Sequence, residues 1–93
     1  MTINVKLYAT LRLHLGVASV SIETNEEPTV LELIELISQA VGEDISSWLV
    51  DEEGGVRMGT MILLDGHNML HADGLDTRVR TSNVAVFPPA GGG

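Results

Sequence analysis

The residues whose types and spacing suit chemistry lie at the end of the chain, in Phe87-Pro88-Pro89-Ala90-Gly91-Gly92-Gly93. Adjacent prolines lack the amide donors that a sheet ladder needs and favour a stiff, extended path. The glycines carry no side chains, so this segment fits gaps that any Cβ would block. Fully extended, the run spans roughly 20–25 Å at about 3.3–3.6 Å per residue. The reactive group it offers is the Gly93 carboxylate, which is inert until activated. An ATP-using partner can adenylate it, and the acyl-adenylate then accepts sulfur to become a thiocarboxylate or is passed to an amine. Either use needs a slim tail that visits an adenylation pocket and then a second active site. A glycine-rich end is often only a frayed terminus. Here it directly follows an apolar, strand-like run, Val84-Ala85-Val86-Phe87, with the prolines as a stiff base.

The other candidate sites are weaker. Gly54-Gly55 lacks the lysine and the strand-to-helix setting of a phosphate-cradling loop. His67-x-x-x-His71 would share one face of a helix, but it follows a hairpin signal, so these residues and His14 read as surface histidines. No metal site is expected. Asp73 and Asp76 offer a carboxylate pair, yet Asp-Gly and Asp-Thr steps ordinarily cap turns. With no cysteine, the chain has no thiol nucleophile, thiol sulfur carrier or disulfide. No self-sufficient enzyme site emerges, so the chain is expected to be non-catalytic.

The elements that must position the tail come from one small domain. At 93 residues a single core is expected, over residues 1–87, with 88–93 as a flexible tail. The aromatics are Tyr8, Trp48 and Phe87, so that core is largely aliphatic. A net charge of −8, with only Lys6, Arg12, Arg57, Arg78 and Arg80 basic, argues against nucleic acid and anionic membranes as partners. It suits a partner with a basic docking face. Neither a signal peptide nor an apolar run of membrane-spanning length is evident, and a cytoplasmic location is expected.

Thr2 to Ala9 alternates as a half-buried strand, with Ile3, Val5, Leu7 and Ala9 on one side. Ala9–Leu15 reads as a helical turn closed by Gly16, and Ala18, Val20 and Ile22 mark a second strand antiparallel to the first. Thr29 with Glu32 forms a T-x-x-E capping box opening a helix that Gly42 ends. Val30, Leu33, Ile34, Ile37, Ala40 and Val41 share its apolar face. In the less readable Glu43–Gly59 stretch, Trp48 is expected to plug the core and Asp51–Gly55 to form an acidic turn. Met61–Leu64 reads as a strand buried on both faces, Asp65-Gly66 as a hairpin turn, and the return strand as running through Met69-Leu70. Asp73–Thr77 reads as a further turn and Val84–Phe87 as the last strand. This order predicts an α+β roll, one mixed sheet wrapped around one main helix. First and last strands side by side in its centre would place the tail at the end of a rigid strand.

These segments together resemble the MoaD/ThiS-type ubiquitin-like sulfur carriers of the β-grasp fold, most of all the small subunit of molybdopterin synthase. The resemblance is carried by Val5–Arg12 with Gly16, the Thr29–Leu33 helix start, Ile62–Gly66, Asp73–Thr77 and, most specifically, the Phe-Pro-Pro-x-x-Gly-Gly ending. It implies that Gly93 is adenylated and then thiocarboxylated. It implies further that Gly92 and Gly91 thread the partner's pocket, that Pro88, Pro89 and Ala90 lead the tail there, and that Phe87 and its apolar neighbours form the docking face. The implied partners are an adenylating enzyme of the ubiquitin-activating type, which uses ATP, a persulfide sulfur donor, and the large catalytic subunit of the synthase. No bound cofactor is implied. Three positions depart from the family pattern: Gly91, where many members carry another small residue, Asp65-Gly66 for Asn-Gly, and Thr81-Ser82-Asn83 for an acidic turn. The alternatives are a protein modifier joined through Gly93 to lysines, a sulfur carrier for tRNA thiolation or thiamine, and a binding module with an idle tail.

Overall fold

Strand β1 (Thr2–Leu7) alternates as its sequence demands, burying Ile3, Val5 and Leu7 while Thr2, Asn4 and Lys6 face outward. In the computed structural model, which describes residues 1–89, β1 pairs antiparallel with β2 (Ser19–Glu23) and parallel with β5 (Asn83–Phe87). On the other side of β5 lies β3 (Met61–Leu64), antiparallel to it, and β4 (His67–Asn68) completes the order β2-β1-β5-β3-β4. First and last strands thus occupy the centre of a mixed sheet, the expected ubiquitin-like β-grasp arrangement.

The helix that the sheet grasps is α2 (Val30–Val41), lying between α1 (Ala9–Leu15) and the single turn α3 (Ser46–Leu49) in chain order. Both halves of its capping box are made: the Glu32 amide donates to Thr29 Oγ1 at 3.1 Å and the Thr29 amide donates to Glu32 Oε1 at 2.9 Å. Val30, Leu33, Ile34 and Ile37 are buried against the inward residues of the sheet, Ile3, Val5, Ile22, Ile62, Val84 and Val86 among them. Because β-branched and leucine side chains fill nearly all of this core, its stability rests on aliphatic burial.

Several expectations are corrected. Ala9 does not extend β1; it begins α1, at a φ of 54°. Ala40 is exposed, although Val41 beside it in the last turn of α2 packs on the core. Trp48 is only half-buried, and Ile45 and Leu49 of the α3 segment enter the core in its place. The return strand stops at Asn68, where its side chain accepts from the Leu70 amide and starts a 3-10 turn over Met69–His71. Within β3, Ile62 is buried but Met61, Leu63 and Leu64 stay half-buried, so the strand is not buried on both faces as expected. The hairpin turn is as read: Asp65 and Gly66 have φ of 51° and 84°, the paired left-handed conformation of a type I′ turn. Among the described residues no helix is long and apolar enough to cross a membrane.

Candidate functional site

The site is built where β5 leaves the sheet. Strand alternation sends Val84 and Val86 into the core and leaves Ala85 and Phe87 half-buried on the opposite, open face. The register places Phe87 beside Met61 and Ala85 beside Leu63, so β3 contributes to the same apolar face. Tyr8, the residue after β1, stacks on Phe87 with ring centroids 4.3 Å apart and planes 8° from parallel. The Tyr8 amide donates to the Val86 carbonyl at 3.1 Å, which fixes the backbone beneath the stack. This open face can bury aromatic and aliphatic surface against a partner, the kind of contact that supplies most interface energy.

Beyond Phe87 the prolines turn to the other side. Pro88 is buried and Pro89 half-buried, so both pack against the rest of the described chain. Pro89 lies against Gly59, whose φ of +91° only glycine adopts without strain. A groove of about 560 Å³ opens beside them, lined by Thr10, Trp48, Arg57, Met58, Pro88 and Pro89 among others. The Arg57 Nε donates to the Ser47 carbonyl at 2.6 Å, setting a guanidinium into the groove wall. Met58 at its lip is 97% exposed, unusual for so apolar a side chain. Trp48 is held by His14, at 4.9 Å between ring centroids, and His14 Nε2 meets Glu43 Oε2 at 2.5 Å. Phe87 and Pro89 are therefore each buttressed, the first by the Tyr8 stack and the second by Gly59.

Of the residues singled out in the sequence, Phe87, Pro88 and Pro89 come together here, while Ala90, Gly91, Gly92 and Gly93 lie outside the described residues. Sequence reasoning missed Tyr8, Arg57 and Met58. Tyr8 alone carried a signal, as the last outward position of the β1 alternation. His67 and His71 are both exposed, and no cluster of metal-ligating side chains occurs among the described residues.

The sequence pattern of the ThiS family matches residues 5–93. The chain belongs to the ThiS family. A protein of Archaeoglobus fulgidus named as a sulfur carrier is 35% identical over 69 residues, covering 73% of this chain and 77% of that protein. Small archaeal modifier protein 3 of Haloferax volcanii is 28% identical over 94 residues, spanning the full length of both chains. Among solved structures, a Pyrococcus furiosus protein titled as molybdopterin converting factor, subunit 1, superposes with a TM-score of 0.69 at 25% identity, covering 97% of this chain and 99% of that one. Family members of this kind are small ubiquitin-like sulfur carriers and modifiers, and the β-grasp body described above is their shared framework.

Proposed function

We propose that this ThiS-family chain is the sulfur carrier of molybdopterin synthesis, the small subunit of the synthase. The observation that carries the reading is the packed base from which the tail continues: a central strand ends in a stacked Tyr8–Phe87 pair, and Pro89 lies against Gly59. A partner that docks on the open face then receives the tail from a fixed point of departure. In the proposed cycle an adenylating partner joins the Gly93 carboxylate to AMP and releases pyrophosphate. The outer sulfur of a persulfide donor attacks the acyl carbon and displaces AMP. A second thiol on the donor then cleaves the resulting acyl disulfide and is left in a disulfide with the first, and the freed thiocarboxylate enters the large synthase subunit. The carrier acts as a co-substrate, working in the cytoplasm, and binds no cofactor of its own. The likeness to a molybdopterin converting factor subunit supports this choice of pathway.

The full-length likeness to an archaeal modifier favours a second reading, in which the same activated Gly93 is passed to lysine amines. Intact mass of the protein from its native host, with fragmentation across the C-terminus, tests both. The carrier reading expects one oxygen of Gly93 replaced by sulfur; Gly93–lysine adducts without any thiocarboxylate would replace it with the modifier. In a reconstituted synthase, deletion of Gly93 or replacement of Gly92 by a bulky residue should abolish transfer with the fold intact. Full dithiolene formation by the shortened chain would sink the idea.

A further inference from the structure

The sequence contains a single lysine, Lys6, and the fold sets it on the open face of the sheet. It is exposed, and the neighbours facing it across the strands are small, Ser19 on β2 and Ala85 on β5. No ion pair among the described residues engages it. Tyr8 lies two residues further along, about 7 Å at strand spacing, so Lys6 borders the Tyr8–Phe87 patch. The amine of Met1 differs: it donates to the Thr24 carbonyl at 2.5 Å.

We propose that Lys6 is the acceptor for the activated tail of a second copy of this chain, and that the resulting link covers the docking face and withdraws the linked copy from sulfur transfer. This rests on the reading that Gly93 is adenylated. The neutral Lys6 amine of one copy attacks the Gly93 carbonyl carbon of the other copy's acyl-adenylate. A C–N amide bond forms, the bond from that carbon to the adenylate oxygen breaks, AMP leaves, and the nitrogen gives up a proton to solvent. Nothing is oxidised or reduced, and the co-reactant is the ATP that the adenylating partner already uses. Geometry favours a second copy over the same one. Ala85 pairs with Lys6 and Pro89 lies four residues beyond it, so the four residues after Pro89, at most about 14 Å of chain, would have to turn back along β5 to reach Lys6 of their own copy. A whole domain tethered beside Tyr8 and Phe87 then occupies the surface that a partner needs.

The test incubates the full chain with its adenylating enzyme and ATP, first without a sulfur donor, and follows pyrophosphate release and intact mass. The expected product is a covalent dimer one water lighter than two chains. Because Arg80 is the last trypsin site, digestion should leave the branch Thr81–Gly93 on Lys6. Lys6→Arg should release pyrophosphate yet form no dimer, and branch mapping on the wild-type chain decides the site independently of that variant. The purified dimer, thiocarboxylated on its free tail, should donate sulfur at least about tenfold more slowly than the monomer, the size of loss that removing about 1.4 kcal/mol of docking energy produces. Pyrophosphate release with no link, with a link at Met1, or with a monomer one water lighter would overturn the proposal. So would a Lys6-linked dimer that donates sulfur at the monomer rate. Absence of pyrophosphate release would instead bring down the reading that Gly93 is activated, and this inference with it.

Discussion

Gly59 shows how one residue governs the base of the tail. A Cβ there would sit 3.5 Å from Pro89 Cα and 3.6 Å from Pro89 Cβ, an ordinary contact, so space alone permits alanine. The backbone does not, because the φ of +91° disfavours any L side chain. Gly59→Ala should therefore cost about 1–2 kcal/mol, read from the shift in urea midpoint. An unchanged midpoint would mean that the segment relaxes without effort and that Pro89 is held less firmly than its packing implies. Its neighbour Thr60 predicts the opposite sign. The Thr60 hydroxyl is buried, and it has no hydrogen-bond partner among the described residues. A buried unsatisfied hydroxyl costs about 1–3 kcal/mol, so Thr60→Val, close to it in shape, should stabilise the fold by roughly 1 kcal/mol in the same titration. Destabilisation would show that the hydroxyl is bonded after all.

Helix α2 supplies the predictions at the scale of the element. Thr29→Ala removes the hydroxyl that accepts from the Glu32 amide and should cost about 1 kcal/mol. The same cap shapes the pH response. The Thr29 amide donates to the Glu32 carboxylate, and with the Thr29 side chain and the nearby Arg78 it holds that carboxyl below its usual range. Asp44 is lowered likewise, first by the Ser46 hydroxyl and then by the Ser46 amide. A carboxyl whose pKa is lower folded than unfolded contributes stability above the unfolded value and loses it as pH falls through the folded one. Thermal stability should therefore decline as pH drops through and below the ordinary carboxylate range, and Glu32→Gln should flatten that acid limb. These elements were legible because their signals are local: the capping box, the period of the apolar stripe, and the Asp65-Gly66 turn each lie within a few residues. The segment around Trp48 was not, since Ile45 and Leu49 enter the core only once α2 and the sheet are assembled. The same holds at the site. Phe87 and the prolines stand out in the sequence, but the Tyr8 stack depends on the parallel register of β1 with β5, and the seat of Pro89 on Gly59 joins residues far apart in the chain. Local patterns reveal elements, and contacts between distant elements made the site.

Across the whole molecule, charge and apolar surface have separate tasks, and kinetics can tell them apart. The net charge is −8, and two of the few cations are already engaged, Arg78 near Glu32 at 3.9 Å and Arg80 near Glu27 at 3.6 Å. The long-range field is therefore negative and should draw in a partner with a basic face, while the Tyr8–Phe87 patch should hold that partner once it has docked. Fields between exposed charges are screened beyond about 8 Å at physiological ionic strength. Raising salt from low to physiological levels should thus slow association with the proposed adenylating partner by about tenfold, while dissociation changes little. Phe87→Ala should do the reverse, leaving the association rate nearly unchanged and speeding dissociation by about tenfold or more, as loss of a buried aromatic anchor does. Trp48, the only tryptophan, lines the groove with Pro88 and Pro89 and is the natural stopped-flow fluorescence probe for both measurements. If salt left the association rate untouched, the acidic surface would serve solubility alone. If Phe87→Ala left dissociation untouched, the partner would have to grip the tail and groove in place of the open face.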